Sequence, residues 1–227
     1  MVGALDGVTH GNYDVNIDQL SQWIQQTDRP VFLRIGYEFD NPGNGYDSQK
    51  YVEAYRYIVD RMRQNGVKNV AFVWHSYASS ESADSLMKWY PGDDYVDWLG
   101  ISYFRQSEHL MLPMVELAKQ HQKPLMIAEA TPMGLRTSDK SPSVMSYLWE
   151  TWYQSLFDFA KRYNVKMISY INAPWDEQPM WRGQKLGDAR IQANDFIRTK
   201  WLEEVNNRTY LQASPDLFEQ LGYTQKE

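Results

Sequence analysis

Short, nearly continuous apolar runs alternate along this chain with longer stretches of helical spacing. A run of this kind, bounded by turn residues, reads as a strand buried on both faces. The pattern predicts strands at Val2–Leu5, Val31–Phe39, Val70–His75, Val96–Tyr103, Leu125–Glu129 and Val165–Asn172. Asp47 can cap a helix whose apolar positions are Tyr51, Val52, Tyr55, Ile58, Val59 and Met62, closed by Asn65-Gly66. A loop and short helix lead to Tyr90, and Leu110–His121 has helical spacing at Met114, Leu117 and Ala118. Ser141-Pro142 opens a long helix with Leu148, Trp152, Leu156 and Phe159 turned inward. Further helices are predicted around Ala189–Val205 and from Ser214-Pro215 to just before Gly222.

Strands alternating with helices imply a parallel sheet with right-handed crossovers. No glycine-rich phosphate loop follows any strand, which argues against a nucleotide-binding sheet. The remaining choice is α/β of the (β/α)8, TIM-barrel type, with its active residues at the C-terminal strand ends. Such a barrel closes with eight strands in about 250 residues. The six predicted strands in 227 residues imply one incomplete barrel domain over positions 1–227. An open barrel bares backbone edges and apolar surface. The expectation is therefore a piece of a longer enzyme, or a homo-oligomer or second chain covering the gap.

Read at their ends, the strands offer Tyr37 and Glu38, Trp74 and His75, Tyr103, Glu129, and then Asn172, Trp175 and Asp176. Asp6 and His10 follow the first run. A carboxylate closing an apolar strand is costly to hide, so Glu38 and Glu129 are expected to face a pocket. Paired carboxylates are the equipment for breaking a glycosidic bond. Arg34 lies four residues before Glu38 on the same predicted strand, so both side chains are expected on one face, where Arg34 can pair with Glu38 or hold it ionised and oriented. Taken singly, His75 also fits a structural histidine, and Trp74 a core residue. The chain holds 9 Trp and 16 Tyr, which fill cores but also stack on sugar rings.

Composition excludes several classes. Net charge is −6 with both signs scattered, so no basic stripe marks a nucleic-acid partner. No apolar run reaches the length of a membrane span. Cysteine is absent, which removes disulfides and thiol chemistry. The four histidines share no ligand spacing, so no metal site is expected. No GxSxG elbow is present. The first residues lack a basic region and a long apolar core, so no signal peptide is expected in this chain. Asn207-Arg-Thr209 matches a glycosylation sequon, a pattern that recurs by chance.

Several motifs resemble glycoside hydrolase clan A, and within it family 26. These are Arg34-Ile-Gly-Tyr-Glu38, Phe72-Val-Trp-His75, Tyr90–Trp98 followed by Gly100-Ile-Ser-Tyr103, and Ile127-Ala-Glu129. The stretch from Tyr90 to Tyr103 is the most specific, and the resemblance covers roughly residues 1 to 205. It implies a retaining endo-β-glycosidase acting on a polysaccharide or oligosaccharide such as mannan, xylan or mixed-linkage glucan, without a cofactor. Glu38 would be the acid/base and Glu129 the nucleophile, with Tyr103 holding Glu129. Trp175 would be the sugar platform, with Arg34, Tyr37, Trp74 and His75 at the cleft. Secretion or a periplasmic location follows from the same resemblance. Tyr37 departs from it, standing where the family usually has histidine and the clan asparagine. The alternative reading is a non-catalytic glycan-binding protein on the same scaffold.

Overall fold

A computed structural model describes residues 3–80, 82–138 and 141–223. Among the described residues there are five strands rather than six: β1 (Val31–Arg34), β2 (Val70–Ser76), β3 (Trp98–Tyr103), β4 (Leu125–Ala130) and β5 (Met167–Tyr170). They form one parallel sheet in the order β1-β2-β3-β4-β5. With helices between the strands, the class is α/β, an incomplete TIM-type array. The residues group into two compact units, one within 1–102, 106–126 and 218–227, the other within 103–105 and 127–217.

The first predicted strand is a helix. α1 (Ala4–Thr9) covers Ala4 and Leu5, while Val2 lies outside the described residues. The four-residue apolar run is too short to separate the two periods, a known ambiguity of such runs. Asp6 and His10 are accordingly not strand-end groups: Asp6 pairs with Lys50 at 2.7 Å, and His10 Nδ1 lies 2.6 Å from the Asp6 carbonyl. α2 (Asp14–Thr27), unassigned from sequence, buries only Ile17, Ser21 and Ile24. So thin a stripe is weak evidence in a sequence, yet it suffices when a neighbouring helix covers it. Arg61 of α3 (Ser48–Gln64) completes that contact by pairing with Asp14 and Asp18, each at 2.7 Å.

α3 behaves as its pattern predicts. Asp47 accepts from Lys50 N at 3.0 Å at its N-terminus, and Tyr51, Ala54, Tyr55, Val59 and Met62 are buried at helical spacing. α4 (Ala83–Met87) and α5 (Glu108–Gln120) follow in the first unit, which also holds a 3-10 turn at Pro42–Asn44 and residues 218–220 of α9, introduced below. Register ties β1 to β2 through Arg34↔Val73, and β2 to β3 through His75↔Gly100. β3 starts two residues later than predicted because the Asp97 carboxylate, not a longer strand, takes up Phe72 N–H at 2.7 Å.

In the second unit the long helix predicted after Ser141 is three consecutive pieces. They are α6 (Pro142–Leu148), a π-helical turn at Trp149–Tyr153, and α7 (Gln154–Arg162). The wider turn lets Trp149, Trp152 and Tyr153 all be buried. Leu148, Trp152, Leu156 and Phe159 point inward as their spacing implies. α8 (Asp195–Val205) starts later than expected, because Asn194 caps it by accepting from Phe196 N and Ile197 N. Ahead of it, Ile191–Ala193 is a single 3-10 turn, and Asp188, just before the predicted span, forms an antiparallel bridge with Pro174. The short α9 (Leu217–Gln220) ends the described chain.

Candidate active site

Glu38 does not sit on a strand. β1 ends at Arg34, and the chain then bends with Gly36 at φ +55° and Glu38 at φ +51°. The same-face argument from Arg34 to Glu38 therefore fails, since alternation holds only within a strand. Gly36 is required here twice over: the backbone is left-handed, and a Cβ would lie 2.7 Å from Tyr51 Cε2. A left-handed glutamate costs conformational energy that its surroundings must offset. Asn44 Nδ2 donates to the Tyr37 and Glu38 carbonyls at 3.1 and 3.0 Å, and Phe39 N–H donates to the His75 carbonyl at 3.1 Å. Tyr51 OH donates to the Ile35 carbonyl at 3.0 Å.

The bend delivers a buried carboxylate, 7% exposed, held on both oxygens. Ser102 Oγ donates to Oε1 at 2.7 Å and Asn41 Nδ2 to Oε2 at 2.9 Å. Behind Ser102 stands His75, with Nε2 3.0 Å from Ser102 Oγ and Nδ1 3.3 Å from Arg34 Nη1. Register explains the alignment. Arg34 is level with Val73, His75 lies two residues further on that face, His75 is level with Gly100, and Ser102 lies two further again. The polar row thus climbs one pleat per strand towards Glu38.

The direction of this row is set by its first member. A guanidinium only donates, so His75 Nδ1 must accept, which leaves the single ring proton of the neutral imidazole on Nε2. Nε2–H then donates to Ser102 Oγ, whose own proton goes to Glu38. Burial, and then the Arg34 charge, push the His75 pKa down to about 3, so the ring stays neutral. Asp40, in the same loop, accepts from Ser76 Oγ at 2.8 Å and Tyr77 N at 2.6 Å. Burial raises its pKa despite those bonds.

Two sequence expectations change at this point. Trp74 is wholly buried, stacked on Phe39 at 4.4 Å, and its Nε1–H donates to the Trp89 carbonyl at 3.1 Å. It offers no face to a ligand and is a core residue under the Glu38 bend. His75 is equally buried and does not line a cleft: it supports Ser102. Tyr37, by contrast, is 46% exposed, with the Arg34 guanidinium 6.0 Å from its ring centre.

The second unit presents the other candidates. Glu129 is the penultimate residue of β4 and is half-buried. Tyr103, the last residue of β3, is half-buried with its ring against Trp152 and Phe159, both at 5.7 Å. Trp175 opens a tight turn after β5, and its Nε1–H donates to Thr131 Oγ1 at 3.0 Å. Thr131 is fully buried and lies two residues past Glu129. Asp176 accepts from Arg136 and from Gly187 N, while Asn172 holds Ile191 N and Gln192. Among the described residues no cluster of His, Asp and Glu is arranged to hold a metal.

The sequence model of glycosyl hydrolase family 26 matches residues 5–181. The chain belongs to that family. It is 32% identical to Beta-1,3-xylanase TXYA of a Vibrio species, over 98% of this chain and 54% of that protein. A Beta-1,3-xylanase of an Alcaligenes species is also 32% identical, over 98% of this chain and 52% of the relative. The chain thus spans about half the length of the curated relatives it matches. Among solved structures it resembles a GH26 beta-mannanase from Bacteroides ovatus, with TM-score 0.63 and 19% identity over 92% of this chain and 66% of that one. It also resembles GH26C from a Muricauda species, with TM-score 0.66 and 17% identity over 95% of this chain and 62% of that one. At such identities these structures attest the fold alone.

Three residues that contact the candidate side chains are not marked by the sequence pattern: Ser102, Asn41 and Thr131. Ser102 carries no signal by itself. Only the β2–β3 register puts it level with the His75–Glu38 gap. Asn41 and Thr131 each hold a residue that was picked out, and their contacts depend on turns that no periodicity reports.

Proposed function

We propose that this chain is a retaining endo-β-glycosidase that cleaves a plant or algal β-glycan by double displacement. The observation that carries the reading is Glu38, a buried carboxylate held on both oxygens at the exit of β1, within the family-26 match. Glu38 protonates the departing glycosidic oxygen as Glu129 attacks the anomeric carbon. The glycosyl-enzyme ester then yields to water, which Glu38 deprotonates, and configuration is retained. Tyr103 orients Glu129, and Trp175 is the platform under the reacting sugar. Tyr37 and Arg34 lie beside the subsite next to the cleaved bond.

β-1,3-Xylan is the first candidate substrate, since the names of both 32%-identical relatives specify it. β-Mannan and mixed-linkage β-glucan follow. Export to the medium or periplasm fits a polymeric substrate, and no helix among the described residues is long and apolar enough to cross a membrane. A second copy or further chain covering the exposed side of β1 belongs to the same reading. Turnover on the three polymers, with analysis of the product anomer, tests it. Release of retained-configuration oligosaccharide from one polymer supports the enzyme. Binding of all three without release makes the chain a glycan-binding protein, a reading that Tyr37 at the family's histidine position favours.

A further inference from the structure

We infer that Ser102, with His75 behind it, is a positioning residue for Glu38, an assignment that rests on Glu38 being the acid/base proposed above. A serine hydroxyl can rotate, and alone it could donate to Glu38 or accept from it. Here the choice is removed. His75 Nε2–H occupies the hydroxyl as an acceptor, and Arg34 holds His75 in the tautomer that does so. The Ser102 proton is thereby committed to Glu38 Oε1.

Two consequences follow for the carboxyl group. Its plane is fixed by donors on both oxygens, Ser102 on Oε1 and Asn41 on Oε2. A carboxylate oxygen and the carbonyl oxygen of a carboxylic acid both accept, so Ser102 keeps donating whether or not Glu38 carries its proton. The row neither supplies nor removes a proton. It holds one orientation through both halves of the double displacement. Protonation of His75 would set a second donor, on Nδ1, against Arg34 while Nε2–H still faced Ser102, and burial beside that guanidinium keeps the ring neutral. All four side chains sit in the first unit, and Ser102 and His75 have no exposed surface. Their effect on substrate therefore passes through Glu38.

The test uses the full chain and two probes, phenyl and 2,4-dinitrophenyl β-1,3-xylobioside. The first needs protonation of its leaving group and the second does not. Comparison of kcat/KM isolates bond cleavage from breakdown of the glycosyl-enzyme. For Ser102→Ala, kcat/KM on the phenyl substrate is expected to fall about 10–100-fold, the value of a hydrogen bond to a charged group. On the dinitrophenyl substrate it should change little. Ser102→Thr should recover most of the loss, and so should His75→Gln relative to His75→Leu, because the amide can still accept from Arg34 and donate to Ser102. An equal loss on both substrates, or no recovery by the conservative pair, makes the row structural packing and overturns the inference.

A second measurement is independent of turnover. 15N NMR of histidine-labelled protein, with His75 identified by its loss in His75→Gln, should show a protonated Nε2 and bare Nδ1 from about pH 5 to pH 8. The opposite tautomer, or titration near the ordinary value of about 6.5, overturns the inference. Undiminished activity in Glu38→Gln would instead sink the reading of Glu38 and leave the tautomer result standing, so the two failures are distinguishable.

Discussion

The two candidate carboxylates reach their positions by opposite means. Glu129 lies within β4, a regular strand, where the pleat and its neighbours aim the side chain. Glu38 lies four residues past the end of β1, in a bend with two left-handed residues. Nothing regular aims it, and the protein places it with side-chain bonds from Asn41, Asn44, Tyr51 and Ser102. A strand-borne group is positioned by the fold at large. A bend-borne group is positioned by named contacts, each removable singly, and the Glu38 side should be the more fragile to substitution.

The largest test is chemical. Glu38→Gln and Glu129→Gln should both cost kcat heavily, about 10²–10⁴-fold for the acid/base, with the fold and glycan binding kept. An activated leaving group should partly rescue Glu38→Gln and not Glu129→Gln. Equal rescue of both would erase the assigned difference in role.

Next come the two tryptophans. Trp74→Ala should cost about 3–5 kcal/mol of stability, because a filled core position under the bend is emptied. Trp175→Ala should leave the melting temperature nearly unchanged while weakening oligosaccharide binding about tenfold. Denaturant titration and calorimetric binding measure the pair. If Trp175→Ala unfolds and its folded remainder binds normally, Trp175 is core.

Gly36→Ala probes the bend directly. A left-handed alanine whose Cβ meets Tyr51 should cost about 1–3 kcal/mol and lower kcat with it. A variant with wild-type stability and activity would show that the bend is not under the constraint described.

Acid should then distinguish the Glu38 side further. The unfolded chain protonates His75 near 6.5 and the folded protein only near about 3. The folded pKa is depressed, so acid favours the unfolded state. The His75 contribution is whole above about pH 6.5 and declines as pH falls towards about 3, by up to roughly 1.4 kcal/mol per pH unit. His75→Gln should flatten that part of the stability profile, and an unchanged slope would refute the buried neutral ring. The smallest effect is expected for Asn44→Ala. It loses two bonds to the bend and about 1 kcal/mol in chemical denaturation.

The amino-acid pattern by itself determined the class of fold and much of its parts list. α3, with its Asp47 cap and buried stripe, was legible because capping and helical spacing are local. So were the cores of five strands and the motifs around Glu38 and Glu129, because apolar runs and short motifs need no partner to be seen. What could not be read locally was decided by packing. Ala4–Thr9 became helix where a four-residue run permitted either period, and α2 formed on a stripe too thin to announce itself. Tertiary structure also turned Trp74 and His75 from cleft residues into buried support. It recruited Ser102, which only the register of three strands brings level with Glu38. Chemistry-bearing residue types are written in the chain, but which of them touch is set by register and by bends, and those exist only when distant segments are packed together.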